Sequence, residues 1–244
     1  MSRVHFIGGE KGGVGKSMTA RVLAQYLIDA GRPFVGFDAD ASHSTFARFY
    51  DEFSSQITID EYESLDQILQ AAEDHPDSDI IVDLAAQTSR SLERWIDDSD
   101  AFAAFEELGK EVFFWHVMDD GADSIRLLET LLDQQVFGSV QLVVVQNEGR
   151  GGNFGKFEAS EAFRKAQGRY ARFVTLPRLS APQAQKIDFN NMSFWAAANN
   201  RDMFSIGERQ RVRAWLKKVY KSLQDTLGSS STETSSQVAI STPS

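Results

Sequence analysis

Gly8-Gly9-Glu10-Lys11-Gly12-Gly13-Val14-Gly15-Lys16-Ser17 is the stretch on which the reading of this chain turns. A short apolar run (Val4, Phe6, Ile7) precedes it, and a helical pattern through Ala20, Leu23, Ala24, Leu27 and Ile28 follows. Strand, glycine-rich turn and helix in that order are the setting of a phosphate-binding P-loop. Glycines allow successive backbone N–H groups to turn inward around a polyphosphate, and the helix N-terminus adds its positive dipole end. The candidate cradle is Gly12, Gly13, Val14, Gly15, Lys16, Ser17 and Met18. Lys16 would reach the β- and γ-phosphates, and the Ser17 hydroxyl would ligate Mg²⁺. A strict motif has glycine where this chain has Glu10. The competing reading is a glycine-rich turn carrying two solvated lysines.

Working outward, Gly31-Arg32-Pro33 stops the first helix, and Phe34-Val35-Gly36-Phe37 forms a buried strand ending in Asp38-Ala39-Asp40. Phe46, Phe49 and Tyr50 suggest one helix face, and Leu65, Ile68, Leu69 and Ala72 another. Asp79-Ile80-Ile81-Val82-Asp83 is an apolar strand ending in an acid, so Asp83 is a candidate to hold Mg²⁺ through water. Strands are also expected over 111–118, 141–147 and 172–177, with a helix carrying Ile125, Leu128, Leu131 and Leu132 between the first two. This alternation predicts an α/β fold of the P-loop NTPase kind, a mostly parallel twisted sheet with helices on both faces. His116 lies within an apolar run and reads as a core histidine. The segment Gly149–Lys156 imitates a second phosphate loop, but Phe157 stands where a hydroxyl is needed, so it reads as a mobile surface loop.

Composition narrows the classes. The chain has 244 residues, no cysteine and a net charge of −10. Absence of cysteine excludes disulfides and cysteine-ligated metals and fits a reducing cytoplasm. The four histidines are scattered, against a zinc site. No apolar run has membrane-spanning length, and the N-terminus passes directly into the first strand, so neither membrane insertion nor a signal peptide is expected.

Lys11, the paired glycines and Gly15-Lys16-Ser17 together resemble the deviant Walker A motif of the ParA/MinD family of ATPases. That resemblance implies ATP and Mg²⁺ as ligands and a homodimer formed on ATP binding, with Lys11 crossing to the partner's nucleotide. It places Asp40 beside the attacking water and Asp38 in support of Mg²⁺ and the phosphates. Two solvated turn aspartates are the alternative. The family continues with a Pro-Gln-like pair, where this chain has Ala41-Ser42. Asn147 matches a position from which the family reads adenine, and Leu176-Pro177 matches a segment lining the adenine pocket with backbone groups; Asn147 equally reads as a strand-capping polar residue. The guanine-reading Asn-Lys-x-Asp is missing, since Glu148-Gly149-Arg150 follows Asn147. Relatives that depend on cysteines are excluded. Lys11–Ser17, Asp83–Ala86, Asn147–Phe157 and the stretch from Leu176 to Arg211 look more narrowly like the TraL-type ATPases of conjugative plasmid transfer.

A long helix is expected from Phe204 to Leu227, with Arg209, Arg213, Lys217 and Lys221 four apart on one face. Seven basic residues face two acids between Arg201 and Lys221, a candidate surface for nonspecific DNA or for a protein partner. A solvated basic face is the plain alternative. One domain over 1–227 and a disordered Ser/Thr-rich tail over 228–244 complete the organisation, with no membrane-binding end. The function implied is a slow Mg²⁺-dependent ATPase switching between monomer and dimer in plasmid transfer or partition. The alternatives are an ATP-dependent ligase resembling dethiobiotin synthetase or cobyrinate amidase, and a positioning ATPase acting only through a protein partner.

Overall fold

The computed structural model describes residues 2–40 and 44–228. The Ala41-Ser42 pair and residues 229–244 of the Ser/Thr-rich tail lie outside them.

Seven strands form one sheet: β1 (Arg3–Gly8), β2 (Phe34–Asp38), β3 (Ser54–Gln56), β4 (Asp79–Asp83), β5 (Glu111–Met118), β6 (Gln141–Asn147) and β7 (Arg172–Leu176). Their order is β3-β2-β4-β1-β5-β6-β7, and every pairing is parallel. Parallel neighbours require crossovers, and the helices supply them. These are α1 (Lys16–Asp29), α2 (Thr45–Phe49), α3 (Tyr62–Asp74), α4 (Ser89–Ser99), α5 (Ala101–Glu107), α6 (Ala122–Asp133), α7 (Gly155–Glu158), α8 (Glu161–Gly168), α9 (Ala181–Phe189), α10 (Phe194–Asn199) and α11 (Ile206–Leu227).

Both faces of the sheet are covered, so the central strands are apolar on alternate sides rather than on one. Ile7, Trp115, Val117, Val143 and Val145 pack with α1, α2 and α9–α11. Val4, Phe6, Phe114, Met118, Leu142 and Val144 pack with α3–α6 and α8 on the other side. The apolar runs predicted as strands are the strands observed. The region between β2 and β4 holds the two expected helix faces, α2 and α3, together with the edge strand β3. Ser54-Ser55-Gln56 carries no apolar periodicity because an edge strand has little to bury.

The chain leaves β1 toward β2 on one side and leaves β4 toward β5 on the other. In an open parallel sheet, the crevice at the carboxyl ends of strands where connections diverge is the ligand position. Here that is the end of β1 and β4. The Gly8–Ser17 loop begins there.

Candidate functional site

The loop between β1 and α1 closes onto the helix through Gly15, the N-cap of α1, with φ of +105°. A side chain at Gly15 would place its Cβ 2.2 Å from Asn147 Nδ2, so backbone angle and space both require glycine. Gly12 and Gly13 are exposed, and Val14 is buried as the loop's apolar anchor. Met18 packs partly buried against the core beneath. Lys16 is buried, and its ammonium donates to the Lys11 carbonyl at 3.1 Å. Burial lowers the Lys16 pKa, against the opposing pull of Asp83, Glu10 and Asp40.

Asp83 ends β4 directly beside Asp38 at the end of β2, since the two are register partners; Ile7 is the β1 partner of Asp83. Asp38 accepts backbone N–H bonds from Asp40 (3.0 Å) and Ala47 (2.9 Å). Burial nonetheless raises its pKa, and those bonds offset part of the rise. Asp83 is fully buried with no hydrogen-bond partner on either carboxylate oxygen. Burial pushes its pKa up to about 8, with the nearby Ser17 hydroxyl and Lys16 pulling the other way. An orphaned buried carboxylate is costly without a cation. Two carboxylates and a hydroxyl form a hard-oxygen donor set that suits Mg²⁺, which takes its other ligands from water and phosphate. Among the described residues no group of three or more His, Cys, Asp or Glu side chains forms a metal cage by itself. Asp38, Asp83 and Ser17 therefore fit the ion. Asp40 sits at the mouth of this cluster, half-buried, where β2 gives way to α2.

Lys11 turns sideways. Its ammonium lies 2.6 Å from Asp119 Oδ2, just past the end of β5, while Asp119 Oδ1 accepts from Ser124 Oγ (2.6 Å) and Gly121 N (3.0 Å). Burial tends to raise the Asp119 pKa, but the bonds from Lys11, Ser124 and Gly121 hold it below the usual carboxylate range.

Glu10, the non-glycine of the motif, has a structural use that its position in sequence did not disclose. Its carboxylate accepts from the Ser89 backbone N at 3.1 Å and from the Ser89 hydroxyl. It thereby ties the phosphate loop to the first residue of α4, the helix that follows Asp83. Gln87, in the turn between them, is held at φ +62°. A non-glycine residue in that conformation stores roughly 1–2 kcal/mol.

The adenine-side residues have local partners. Asn147 Nδ2 donates to the Val14 carbonyl at 2.7 Å, and its Oδ1 accepts from Gly149 N at 2.9 Å. That is the geometry of a strand-capping residue, and it also braces the P-loop. The Pro177 carbonyl accepts from Trp215 Nε1 at 2.7 Å. The glycine-rich segment after β6 is tied down at its tip rather than loose. Gly152 N and Asn153 N donate to Asp120 Oδ2, and Phe154 and Phe157 are buried. His116 is the expected core histidine, buried in β5 beside Gly8 of β1.

The basic stripe on α11 divides. Arg209 is half-buried, with its guanidinium donating to the Phe204 carbonyl. Arg213, Lys217 and Lys221 are exposed and line a shared groove well away from the phosphate loop. No helix among the described residues is long and apolar enough to cross a membrane.

Comparison with known proteins agrees with this geometry. The chain is 24% identical over 223 residues to Protein MobD of Acidithiobacillus ferrooxidans, covering 91% of this chain and 96% of that one. It is 26% identical over 199 residues to a Protein TraL of Escherichia coli, covering 73% and 78%. The septum site-determining protein MinD of Pyrococcus horikoshii, solved with Mg-ADP, has the same fold at a TM-score of 0.54 and 12% identity, over 93% of this chain and 98% of that one. Residues 5–145 match the model of the CobQ/CobB/MinD/ParA nucleotide-binding domain, and the chain belongs to that family.

Proposed function

We propose that this protein is a slow Mg²⁺-dependent ATPase that uses ATP to form a homodimer and hydrolysis to release it, serving plasmid transfer or partition. The observation that carries this reading is the orphaned Asp83 carboxylate beside Asp38, Ser17 and Lys16, at the mouth of a P-loop built on β1 and α1. Its likeness to MobD and TraL supports a role in transfer.

The chain's residues divide the work. Backbone N–H groups from Gly12 to Met18 bind the phosphates, and Lys16 moves from the Lys11 carbonyl onto the β- and γ-oxygens. Ser17, Asp38 and Asp83 would hold Mg²⁺, which supplies charge neutralisation on those oxygens. Asp40 orients the attacking water. Lys11 reaches the nucleotide of the second subunit. A protein of the transfer machinery, or DNA, reads the dimer.

The test is sedimentation with Mg-ATP against Mg-ADP, alongside ATP turnover. Lys16→Ala is expected to abolish nucleotide binding. Asp40→Ala is expected to keep binding, lose turnover by about 10²-fold and accumulate as dimer. Rapid hydrolysis by the Asp40 variant would refute its role. Turnover that needs an added small carboxylic acid, with no change in mass, would assign the chain to the ligases.

A further inference from the structure

At the far end of α1 from the phosphate loop, a groove of about 550 Å³ opens between α1, α10 and α11. Thirteen helical steps separate Lys16 from Asp29, so the groove lies roughly 20 Å from the nucleotide site. Its lining is mixed in a particular way. Ala198 and Leu216 are apolar, Trp195 of α10 forms a wall, and Arg213, Lys217 and Lys221 supply three cations. Trp195 is 59% exposed, whereas Trp95, Trp115 and Trp215 are buried. One carboxylate, Asp29, lines the groove, and it is already engaged by the Tyr220 hydroxyl (2.7 Å) and Gln25 Nε2 (2.9 Å). Lys217 and Lys221 have no ion pair among the described residues.

We infer that this groove docks a short acidic segment of a partner protein, with an aromatic or leucine side chain against Trp195 and Leu216. The flanking Asp or Glu residues pair with Arg213, Lys217 and Lys221. Charge selects the occupant. The groove is a small positive site on a chain of net charge −10. A duplex would run its phosphates far beyond the three cations that line the groove, whereas a short peptide samples only the groove. A duplex keeps its base faces stacked inside and its phosphates outside, so it covers Trp195 poorly, and an exposed tryptophan beside an apolar floor is a typical anchor of protein interfaces. The inference deepens the partner-dependent part of the proposed function and rests on it only for the partner's place in transfer; the docking itself is measured without nucleotide.

The experiment pans a library of displayed short random peptides on the full chain, with counter-selection on an Arg213→Glu/Lys217→Glu variant. Recovered peptides are then titrated by tryptophan fluorescence, for which Trp195 is the exposed reporter. The expected result is enrichment of acidic peptides bearing an aromatic or leucine anchor, with a blue shift on binding. Trp195→Ala and the double charge reversal are expected to weaken that binding by at least about tenfold, while added salt weakens it progressively. Mg-ATP affinity of the variants, matching wild type, certifies their fold and separates this test from that of the ATPase. The inference is overturned by no enrichment, by enrichment without acidic bias, or by binding that the variants leave intact. It is equally overturned if a single-stranded or duplex oligonucleotide probe binds these residues more tightly than the peptides do.

Discussion

The Lys11 ammonium and the Asp119 carboxylate, 108 residues apart in the chain, are joined at 2.6 Å within one subunit. In the proposed dimer Lys11 must leave Asp119 to reach across, so this ion pair opposes dimerisation. Lys11 is about a third exposed, and a pair of that kind contributes on the order of 1 kcal/mol. Because both subunits give up this pair, Asp119→Asn is expected to strengthen the ATP-dependent dimer by about 25-fold, about fivefold per pair, and Lys11→Ala to remove the dimer while leaving ATP bound to the monomer. Sedimentation equilibrium with Mg-ATP measures both. A weaker dimer in Asp119→Asn would mean that Asp119 aims Lys11 rather than restrains it.

Asn147 braces the phosphate loop through the Val14 carbonyl. Asn147→Ala leaves that buried carbonyl unpaired, at a cost of about 1–3 kcal/mol, and is expected to lower Mg-ATP affinity with it. Gly15→Ala adds a Cβ 2.2 Å from the Asn147 amide at φ +105°. Combining the two substitutions removes the clash but not the backbone strain, so the double variant is expected to remain defective. Calorimetric titration with Mg-ATP decides this; recovery of wild-type affinity in the double variant would show that crowding alone was the fault.

Glu10 accepts from Ser89 at the start of α4. Loss of such an N-terminal acceptor costs about 0.5–2 kcal/mol. Glu10→Ala is expected to raise amide exchange at the first turn of α4 selectively, with the central strands unaffected. Uniform exchange across the chain would place Glu10 in global stability instead of in this link.

Two buried histidines set an acid limit on stability. Burial lowers the pKa of His116 to about 4 and that of His5 well below its usual value. Between pH 6.5 and about 4 the unfolded chain binds protons at His116 that the folded chain refuses. The His116 contribution is thus at its full value above pH 6.5 and declines as pH falls toward 4, whereas the raised Asp83 pKa acts in the opposite direction and favours the folded state as pH falls. The shift at His116 corresponds to a loss of about 3 kcal/mol once the pH is below both values. Urea unfolding across this range is expected to show wild type losing stability relative to His116→Asn as pH falls, the difference isolating His116 from the carboxylates. An unchanged slope in the variant would move the effect to His5 or to the carboxylates.

The legible parts of this protein were those written in local spacing. Glycine positions, the apolar run before them and the helical period after them disclosed the P-loop, and Asp38 and Asp83 could be marked because each closes an apolar run. Strand β3 was not legible, since Ser54-Ser55-Gln56 buries almost nothing. Helices α5, α9 and α10 are short, and their apolar residues meet partners distant in the chain. The stripe of Arg209, Arg213, Lys217 and Lys221 was legible as a period of four, but not that Arg209 is spent on Phe204 while the other three line a groove.

By itself, then, the sequence determined the alternating α/β order and the identity of the phosphate loop, because both follow from backbone preference and burial over a few consecutive residues. Tertiary structure alone decided that Lys11 meets Asp119, that Glu10 meets Ser89, that Asn147 braces Val14 and that Trp195 faces three cations. Those contacts depend on the strand order β3-β2-β4-β1-β5-β6-β7, which brings β5 and β6 to one side of the loop and β4 to the other. No local signal specifies which strands become neighbours. That choice is made by the joint burial of both faces of the sheet.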